Sequence, residues 1–308
     1  MSDAVIELKE LTKQFKANTA VHKASFKVRR GEIFGLIGQN GAGKSTLLKM
    51  IGGLTFPTSG EIRFFNQDSG KSQLYYERMG LLIEDAGLFP GYTAYRNMEL
   101  LTIFYGMKNH NKQINKLLEL VGLESANKTK VKDFSMGMKQ RLGIAIALLG
   151  SPDVLILDEP INGLDPQGIK EIRELILDLK KKGLTIILSS HILEELSKVA
   201  TRYAIIHQGE IIETLSKDEL LLNCEERIEM EIDEAKEIIP LLESRLDIQN
   251  YKVVNQQKVY IYDSHVENHE IIKQLSAAGI AIHSINKHKQ SLEQYFLERT
   301  GRAGETDD

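Results

Sequence analysis

A glycine-rich loop between an apolar strand and an apolar helix constrains this 308-residue chain more than any other feature. Residues 33–38 read IFGLIG, and apolar residues return at helical spacing over 47–51. The loop, 38–45, reads GQNGAGKS and matches G-x-x-x-x-G-K-[ST]. Glycines allow backbone N–H groups to point at a phosphate, Lys44 supplies a positive charge, and the Ser45 hydroxyl can ligate Mg²⁺. The flanking strand and helix favour a phosphate-binding loop over a chance glycine-rich turn.

A second apolar run ends in two carboxylates. Val154–Leu157 is followed directly by Asp158 and Glu159. At the end of a buried strand, Asp158 can reach Mg²⁺ directly or through water. Glu159 follows at the sheet edge, where it can polarise a water toward the γ-phosphate. Solvated acids at a strand end are the alternative, but the phosphate loop in the same chain favours the catalytic interpretation.

The periodicity of the chain predicts two regions. Apolar strands at Val154–Leu157 and Thr185–Leu188 flank a helix at Gly168–Lys182, which indicates a parallel sheet covered on both faces. After about residue 217 the order is β-α-β-β-α-β, typical of a ferredoxin-like arrangement, with its first helix interrupted by Pro240. We therefore expect an α/β P-loop nucleotide-binding fold with a helical subdomain, plus a small C-terminal α+β domain. The predicted bounds are 1–216 for the nucleotide-binding domain, about 85–150 for its helical subdomain, 217–300 for the C-terminal domain and 301–308 for a disordered tail.

Composition excludes several classes of protein. One cysteine, Cys224, rules out an intramolecular disulfide framework and favours a reducing compartment, and we expect this thiol to be inert. The net charge of −4 gives no global attraction to nucleic acid. The N-terminal sequence lacks the order of a signal peptide, and no apolar run reaches the ~20 residues of a spanning helix. We expect a soluble intracellular protein that needs a partner for any membrane role.

Further motifs resemble, in the same order, those of ATP-binding cassette (ABC) proteins, over residues 1 to about 215. Residues 134–141, FSMGMKQR, resemble the ABC signature, which usually contains L-S-G-G-Q. Residues 163–165, Gly-Leu-Asp, resemble the D-loop, and His191 resembles the switch histidine. Phe15 occupies the place of the aromatic residue that stacks on adenine. Each of these features is weak alone, but the ordered set is specific.

The resemblance implies ATP as the substrate nucleotide and Mg²⁺ as its cofactor. It implies catalytic roles for Lys44, Glu159 and His191, and metal ligation by Ser45, Asp158 and Glu84. The implied nucleotide contacts are Phe15, Gly38, Asn40, Gly41, Gly43, Lys44, Ser45, Thr46, Ser135, Gly137, Met138 and Asp165.

The signature residues imply a dimer. Ser135 is a good helix N-cap, and the helix that follows would present its positive end to an anion. In ABC proteins that anion is the γ-phosphate bound by the other subunit. We see one cassette in the sequence, so a second ABC subunit is expected, most simply another copy of this chain.

Three departures from the usual motifs point to a branch of the family. Met136 replaces the first signature glycine, Met138 replaces the usual glutamine, and Glu84 stands where most cassettes carry the Q-loop glutamine. These residues resemble the branch that exports bacitracin, lantibiotics and related drugs in Gram-positive bacteria. The ending at Ser291–Leu297 resembles the C-terminal extension of that branch.

The leading functional prediction is an ATP-hydrolysing subunit that powers a separate membrane permease. Such a subunit would lie at the cytoplasmic face of the membrane, held there by the permease, and would support export of an antimicrobial peptide or drug. The alternative is a soluble ABC ATPase acting on nucleic acid or ribosomes, although no nucleic-acid partner is expected. The segment between Lys44 and Asp158 holds no long heptad run, which disfavours a chromosome-acting relative. A sensor without turnover is disfavoured by the presence of both Glu159 and His191.

Overall fold

The chain forms two compact units, Met1–Lys217 and Asp218–Asp308. The computed structural model describes residues 4–65, 67–68, 73–108, 110–126, 128–224, 226–263, 266–288 and 291–301. Apart from Gly301, the segment expected to be a disordered tail lies outside these residues. Within the described residues, no helix combines the length and the apolar character needed to cross a bilayer.

Two sheets form the first unit. The smaller sheet has the order β2-β1-β4-β5 and is antiparallel. The larger sheet has the order β10-β9-β3-β8-β7-β6 and is parallel except for its edge strand β10. The strands are β1 (Ala4–Phe15), β2 (Asn18–Arg29), β3 (Ile33–Ile37), β4 (Ser59–Phe64), β5 (Gln67–Asp68), β6 (Met79–Leu82), β7 (Val154–Leu157), β8 (Thr185–Ser190), β9 (Arg202–His207) and β10 (Glu210–Ser216).

Helices surround the larger sheet and build a helical subdomain between β6 and β7. One short 3₁₀ turn, Gln73–Arg78, directly precedes β6, and two more, Glu124–Ala126 and Val131–Asp133, lie within the helical subdomain. The helices are α1 (Lys44–Ile51), α2 (Ala94–Phe104), α3 (His110–Leu120), α4 (Met136–Ala147), α5 (Pro166–Lys181) and α6 (Leu193–Ser197).

Three adjacent strands of the larger sheet are buried along their whole length. Every residue of β3, β7 and β8 is buried, as expected for parallel strands covered on both faces. Strand β7 has the predicted bounds, whereas β8 extends two residues beyond the prediction, through Ser189 and Ser190. Both serine hydroxyls make hydrogen bonds, which allows polar residues to continue a buried strand. This extension brings polar groups to the carboxyl end of the sheet.

The second unit has the predicted ferredoxin-like order. Its antiparallel sheet runs β12-β13-β11-β14. The predicted interruption at Pro240 is wrong, because Pro240 lies inside α8. Ile238 and Leu242 on either side of it are buried in the core, and this packing sustains the helix despite the missing backbone donor. The elements are α7 (Lys217–Cys224), β11 (Arg227–Ile232), α8 (Ala235–Arg245), β12 (Tyr251–Val253), β13 (Lys258–Ile261), α9 (Asn268–Ala277), β14 (Ile282–His288) and α10 (Leu292–Arg299).

The cysteine on α7 has the environment of an unreactive thiol. Burial raises the pKa of Cys224, and a higher pKa lowers the fraction of reactive thiolate at neutral pH.

Candidate nucleotide-binding and hydrolytic site

The glycine-rich loop joins β3 to α1 at the carboxyl end of the larger sheet. Helix α1 begins at Lys44, and its N-cap Gly43 has a φ of 106°. A Cβ atom on Gly43 would lie 2.5 Å from the carbonyl oxygen of Ala20, so both backbone conformation and space require glycine here. The first N–H groups of a helix have no intrahelical partner, which makes this end of α1 suited to an anion.

Lys44 lies against the loop that precedes it. Its ammonium group donates hydrogen bonds to the carbonyl oxygens of Gly38, at 2.6 Å, and Gln39, at 3.1 Å. The same group lies 3.1 Å from Oε1 of Glu159. The side chain is only 5% exposed. Its positive charge is therefore held beside the loop, where phosphate oxygens would bind.

Asp158 and Glu159 follow β7, as predicted. Asp158 is buried, and its Oδ1 accepts a 2.6 Å hydrogen bond from the Ser189 hydroxyl. Glu159 has a φ of 48°, in the left-handed region that few non-glycine residues adopt. This conformation turns the chain sharply after the strand. The two neighbouring carboxylates thereby acquire different surroundings.

The Glu159 carboxylate lies between a cation and an imidazole. Its Oε1 faces Lys44, and its Oε2 lies 2.8 Å from Nδ1 of His191. His191 comes directly after β8, so the two parallel strands deliver the carboxylate and the histidine to one edge. A carboxylate held on both sides in this way can orient a water molecule and accept its proton.

A cavity of about 610 Å³ lies over the loop. Most of the residues predicted to contact nucleotide line it, with Phe15 half exposed (49%). A larger cleft of about 1060 Å³, formed by residues of α3 and the carboxyl end of α5 among others, includes no predicted site residue. The lining residues of the smaller cavity are Phe15, Asn18, Thr19, Ala20, Asn40, Gly41, Gly43, Lys44, Ser45, Thr46, Glu159, Gln208 and Gly209.

Five of these lining residues have no counterpart among the sequence predictions. Asn18, Thr19 and Ala20 begin β2, whereas Gln208 and Gly209 form the turn between β9 and β10. The Gly209 N–H donates to the Ala42 carbonyl, which joins this turn to the phosphate loop. The dipeptide Gln-Gly between two apolar runs is a turn signal, but nothing local places that turn beside the loop.

The signature residues are in a different part of the same chain. Ser135 caps α4, and its hydroxyl accepts a hydrogen bond from the Met138 N–H at 3.2 Å. Ser135 and Met136 are exposed, Met136 to 56%, so the start of α4 is accessible from solvent. Among the described residues that line the nucleotide cavity, none comes from the signature.

Asp165 and Glu84 have partners within the chain. The Asp165 carboxylate caps α5 by accepting a hydrogen bond from the Gly168 N–H at 3.1 Å. Glu84 follows β6, and its carboxylate lies 2.5 Å from the ammonium group of Lys49 on α1. Its side chain is 64% exposed. The predicted metal contact of Glu84 therefore stays a prediction.

The phosphate loop, the paired carboxylates and the histidine define a P-loop nucleoside triphosphatase. A model of the ABC transporter family matches residues 21–162. Over 302 residues, and 97% of both chains, the protein is 37% identical to the bacitracin transport ATP-binding protein BcrA of Enterococcus faecalis. It is 43% identical to the lantibiotic transport ATP-binding protein SrtF of Streptococcus pyogenes, over 68% of this chain and 89% of the relative.

Solved structures agree with this assignment. The dimeric cassette MJ0796, in a post-hydrolysis state with ADP and Pi, has a TM-score of 0.63 and 27% identity to this chain. The match covers 69% of this chain and 98% of the other. This chain belongs to the ABC transporter family. It is an ATP-binding, ATP-hydrolysing subunit, which confirms the predicted family, fold class and enzyme activity.

Proposed function

We propose that this ATPase powers a separate membrane permease that exports an antimicrobial peptide of the bacitracin or lantibiotic type. The observation that carries the proposal is the extent of the similarity to BcrA. It covers 97% of both chains and so includes the unit that follows the catalytic core. A cassette acting on nucleic acid or ribosomes would have no reason to share this C-terminal region with a bacitracin transport protein.

ATP would bind with its triphosphate at the N-terminus of α1 and its adenine against Phe15. Lys44 would exchange its contacts with two backbone carbonyls for phosphate oxygens, which are stronger partners for an ammonium group. Glu159 would then orient the attacking water and accept its proton. His191 would hold the Glu159 carboxylate in place through the 2.8 Å contact. These roles give each charged group of the site one task.

The oxygen donors at the site fit Mg²⁺. The Ser45 hydroxyl and the buried Asp158 carboxylate are hard oxygen ligands, which this cation prefers. Within the described part of the chain, no three His, Cys, Asp or Glu side chains are grouped to hold a metal by themselves. Phosphate oxygens and water would therefore complete the shell, and the bound ion would neutralise charge on the β- and γ-phosphates.

We propose Glu84 as a further oxygen ligand, reached when it leaves Lys49. Glu84→Gln should keep ATPase activity but raise several-fold the Mg²⁺ concentration needed for half-maximal turnover, because an amide is a weaker metal ligand than a carboxylate. The matched control is Asp85→Asn, which removes a neighbouring negative charge. The Asp85 carboxylate accepts a hydrogen bond from the Gly87 N–H and is not a proposed metal ligand. Identical Mg²⁺ titrations of wild type and Glu84→Gln would assign Glu84 to a surface ion pair only.

We further propose that two copies of the chain share two ATP molecules. The exposed start of α4 supports this, since a partner's γ-phosphate could approach the N–H groups near Ser135, Gly137 and Met138. Asp165 would lie at the same interface. The permease would hold the dimer at the cytoplasmic face of the membrane.

The unit that begins near residue 217 is proposed as a docking or regulatory domain. It has its own apolar core, so it can fold as an accessory module in its own right. Residues 1–216 would contain the complete nucleotide site of one subunit. This division assigns the chemistry to one unit and partner specificity to the other.

Export is tested by growth of the native strain in the presence of peptide antibiotics. Deletion of the gene should lower the inhibitory concentration of bacitracin or a lantibiotic several-fold, and wild-type protein should restore it. Glu159→Gln, expressed at the same level, should not restore it, because transport requires turnover. A ribosome-targeting aminoglycoside serves as the control. Unchanged peptide sensitivity with an altered rate of translation would contradict export and favour the ribosomal alternative.

A further inference from the structure

A fully buried serine joins the two acidic residues of the site. The Ser189 hydroxyl donates to Oδ1 of Asp158 at 2.6 Å and accepts from the backbone N–H of Glu159 at 2.8 Å. A hydroxyl has one proton to donate. That proton is donated to the Asp158 carboxylate, and a lone pair of the hydroxyl oxygen accepts the hydrogen bond from the Glu159 N–H. None of the nucleotide-binding and catalytic motifs in the sequence includes this residue.

The register of the sheet places Ser189 where it can do this. Leu157 on β7 pairs with Leu188 on β8, so the next residues, Asp158 and Ser189, lie side by side. On its other side, Ser189 pairs with Leu36 of β3, the strand that leads into the phosphate loop. Strand β8 therefore lies between the strand that leads into the phosphate loop and the strand that ends at the carboxylates, and it pairs with both.

The backbone of Glu159 gives the contact its importance. Its φ of 48° is unfavourable for a residue with a side chain, and such a conformation persists only where surrounding bonds hold it. The Ser189 hydroxyl bonds the N–H of this residue. The carboxylate of the same residue faces Lys44 and His191. A change in the backbone here would move that carboxylate relative to both partners.

We propose that Ser189 is a positioning residue of the ATPase site. Its hydroxyl sets the rotamer of the Asp158 carboxylate and the backbone of Glu159 together, so that the groups assigned to the metal and to the water keep a fixed separation. The inference rests on the roles proposed for those two acids. It is independent of the compound that is exported.

Two variants that are isosteric with each other separate the effect of the hydroxyl from the effect of packing. Ser189→Thr keeps the hydroxyl, whereas Ser189→Val has the shape of threonine without the hydroxyl. We expect kcat of the valine variant to be at least about tenfold below that of the threonine variant, since small displacements of catalytic groups have large effects on rate. In a second assay, binding of a fluorescent, non-hydrolysable ATP analogue is titrated with Mg²⁺. The Mg²⁺ concentration at half-maximal binding should rise in Ser189→Val and stay unchanged in Ser189→Thr. Binding of that analogue in EDTA should be equal for both variants.

A direct structural readout accompanies the kinetics. Amide hydrogen exchange at Glu159 should be slow in wild type and Ser189→Thr, and faster in Ser189→Val, because its N–H loses its acceptor. Thr185→Val is the matched control. Thr185 is buried on the same strand, and its hydroxyl accepts a 2.9 Å hydrogen bond from the Gly31 N–H at the opposite end. This control should leave the Mg²⁺ titration unchanged.

Equal kcat and equal Mg²⁺ titrations for the threonine and valine variants would overturn the proposal. The same losses in Thr185→Val would overturn it too, because they would reflect general loosening of β8. If the valine variant does not fold, Ser189→Ala replaces it, since alanine adds no volume. If Glu159→Gln hydrolyses ATP normally, the role of Glu159 fails instead, and that result is recognised without any Ser189 variant.

Discussion

Glu159→Gln is expected to bind ATP normally and to lower turnover by at least about 10²-fold. Glutamine has nearly the same shape as glutamate, so the sharp turn after β7 and the hydrogen bond to Ser189 can be retained. The amide cannot accept a proton from water. It also adds no negative charge beside the triphosphate, so nucleotide affinity should not fall.

Single-turnover hydrolysis and equilibrium binding of radiolabelled ATP measure the two effects separately. Glu174→Gln is the matched control, because Glu174 is an exposed residue of α5 that pairs with Lys170 at 3.9 Å. That variant should hydrolyse ATP like wild type. Normal single-turnover hydrolysis by Glu159→Gln would remove Glu159 from the role of general base.

Local patterns were sufficient to predict the strand, loop and helix of the phosphate site. The β3–α1 segment, β7 and the acids after β7 are contiguous in sequence, and each requires special residue types: glycine at φ 106°, an apolar run, a carboxylate at a strand end. The order of the C-terminal unit was also predictable, because alternation and turn signals are local. The error at Pro240 arose because the burial of Ile238 and Leu242 is a tertiary effect.

Contacts between distant segments could not be predicted in the same way. Ser189 reaches Asp158 through the parallel register of β7 and β8, which are separated in sequence by the whole of α5. The turn at Gln208 and Gly209 meets the phosphate loop through a backbone hydrogen bond that has no side-chain signature. The pairing of Glu84 with Lys49 likewise joins two elements that no motif connects.

Association of two chains is expected to depend on bound, unhydrolysed ATP. The signature residues of α4 are absent from the described lining of the nucleotide cavity, so one chain supplies only part of the proposed shared site. A γ-phosphate would provide the anion that the open N-terminus of α4 can bind in a second copy. Hydrolysis would remove that bridge. A variant that binds ATP without hydrolysing it should therefore accumulate as a dimer.

Light scattering of Glu159→Gln, with and without ATP and Mg²⁺, tests the shared site most directly. We expect the mass of one chain without nucleotide and a doubled mass with it. The double variant Lys44→Ala/Glu159→Gln should remain monomeric, because it loses the cation that holds the phosphates. An ATP-dependent doubling that requires Lys44 is the predicted result. A constant monomer mass in saturating ATP and Mg²⁺, with nucleotide shown to be bound, would contradict it.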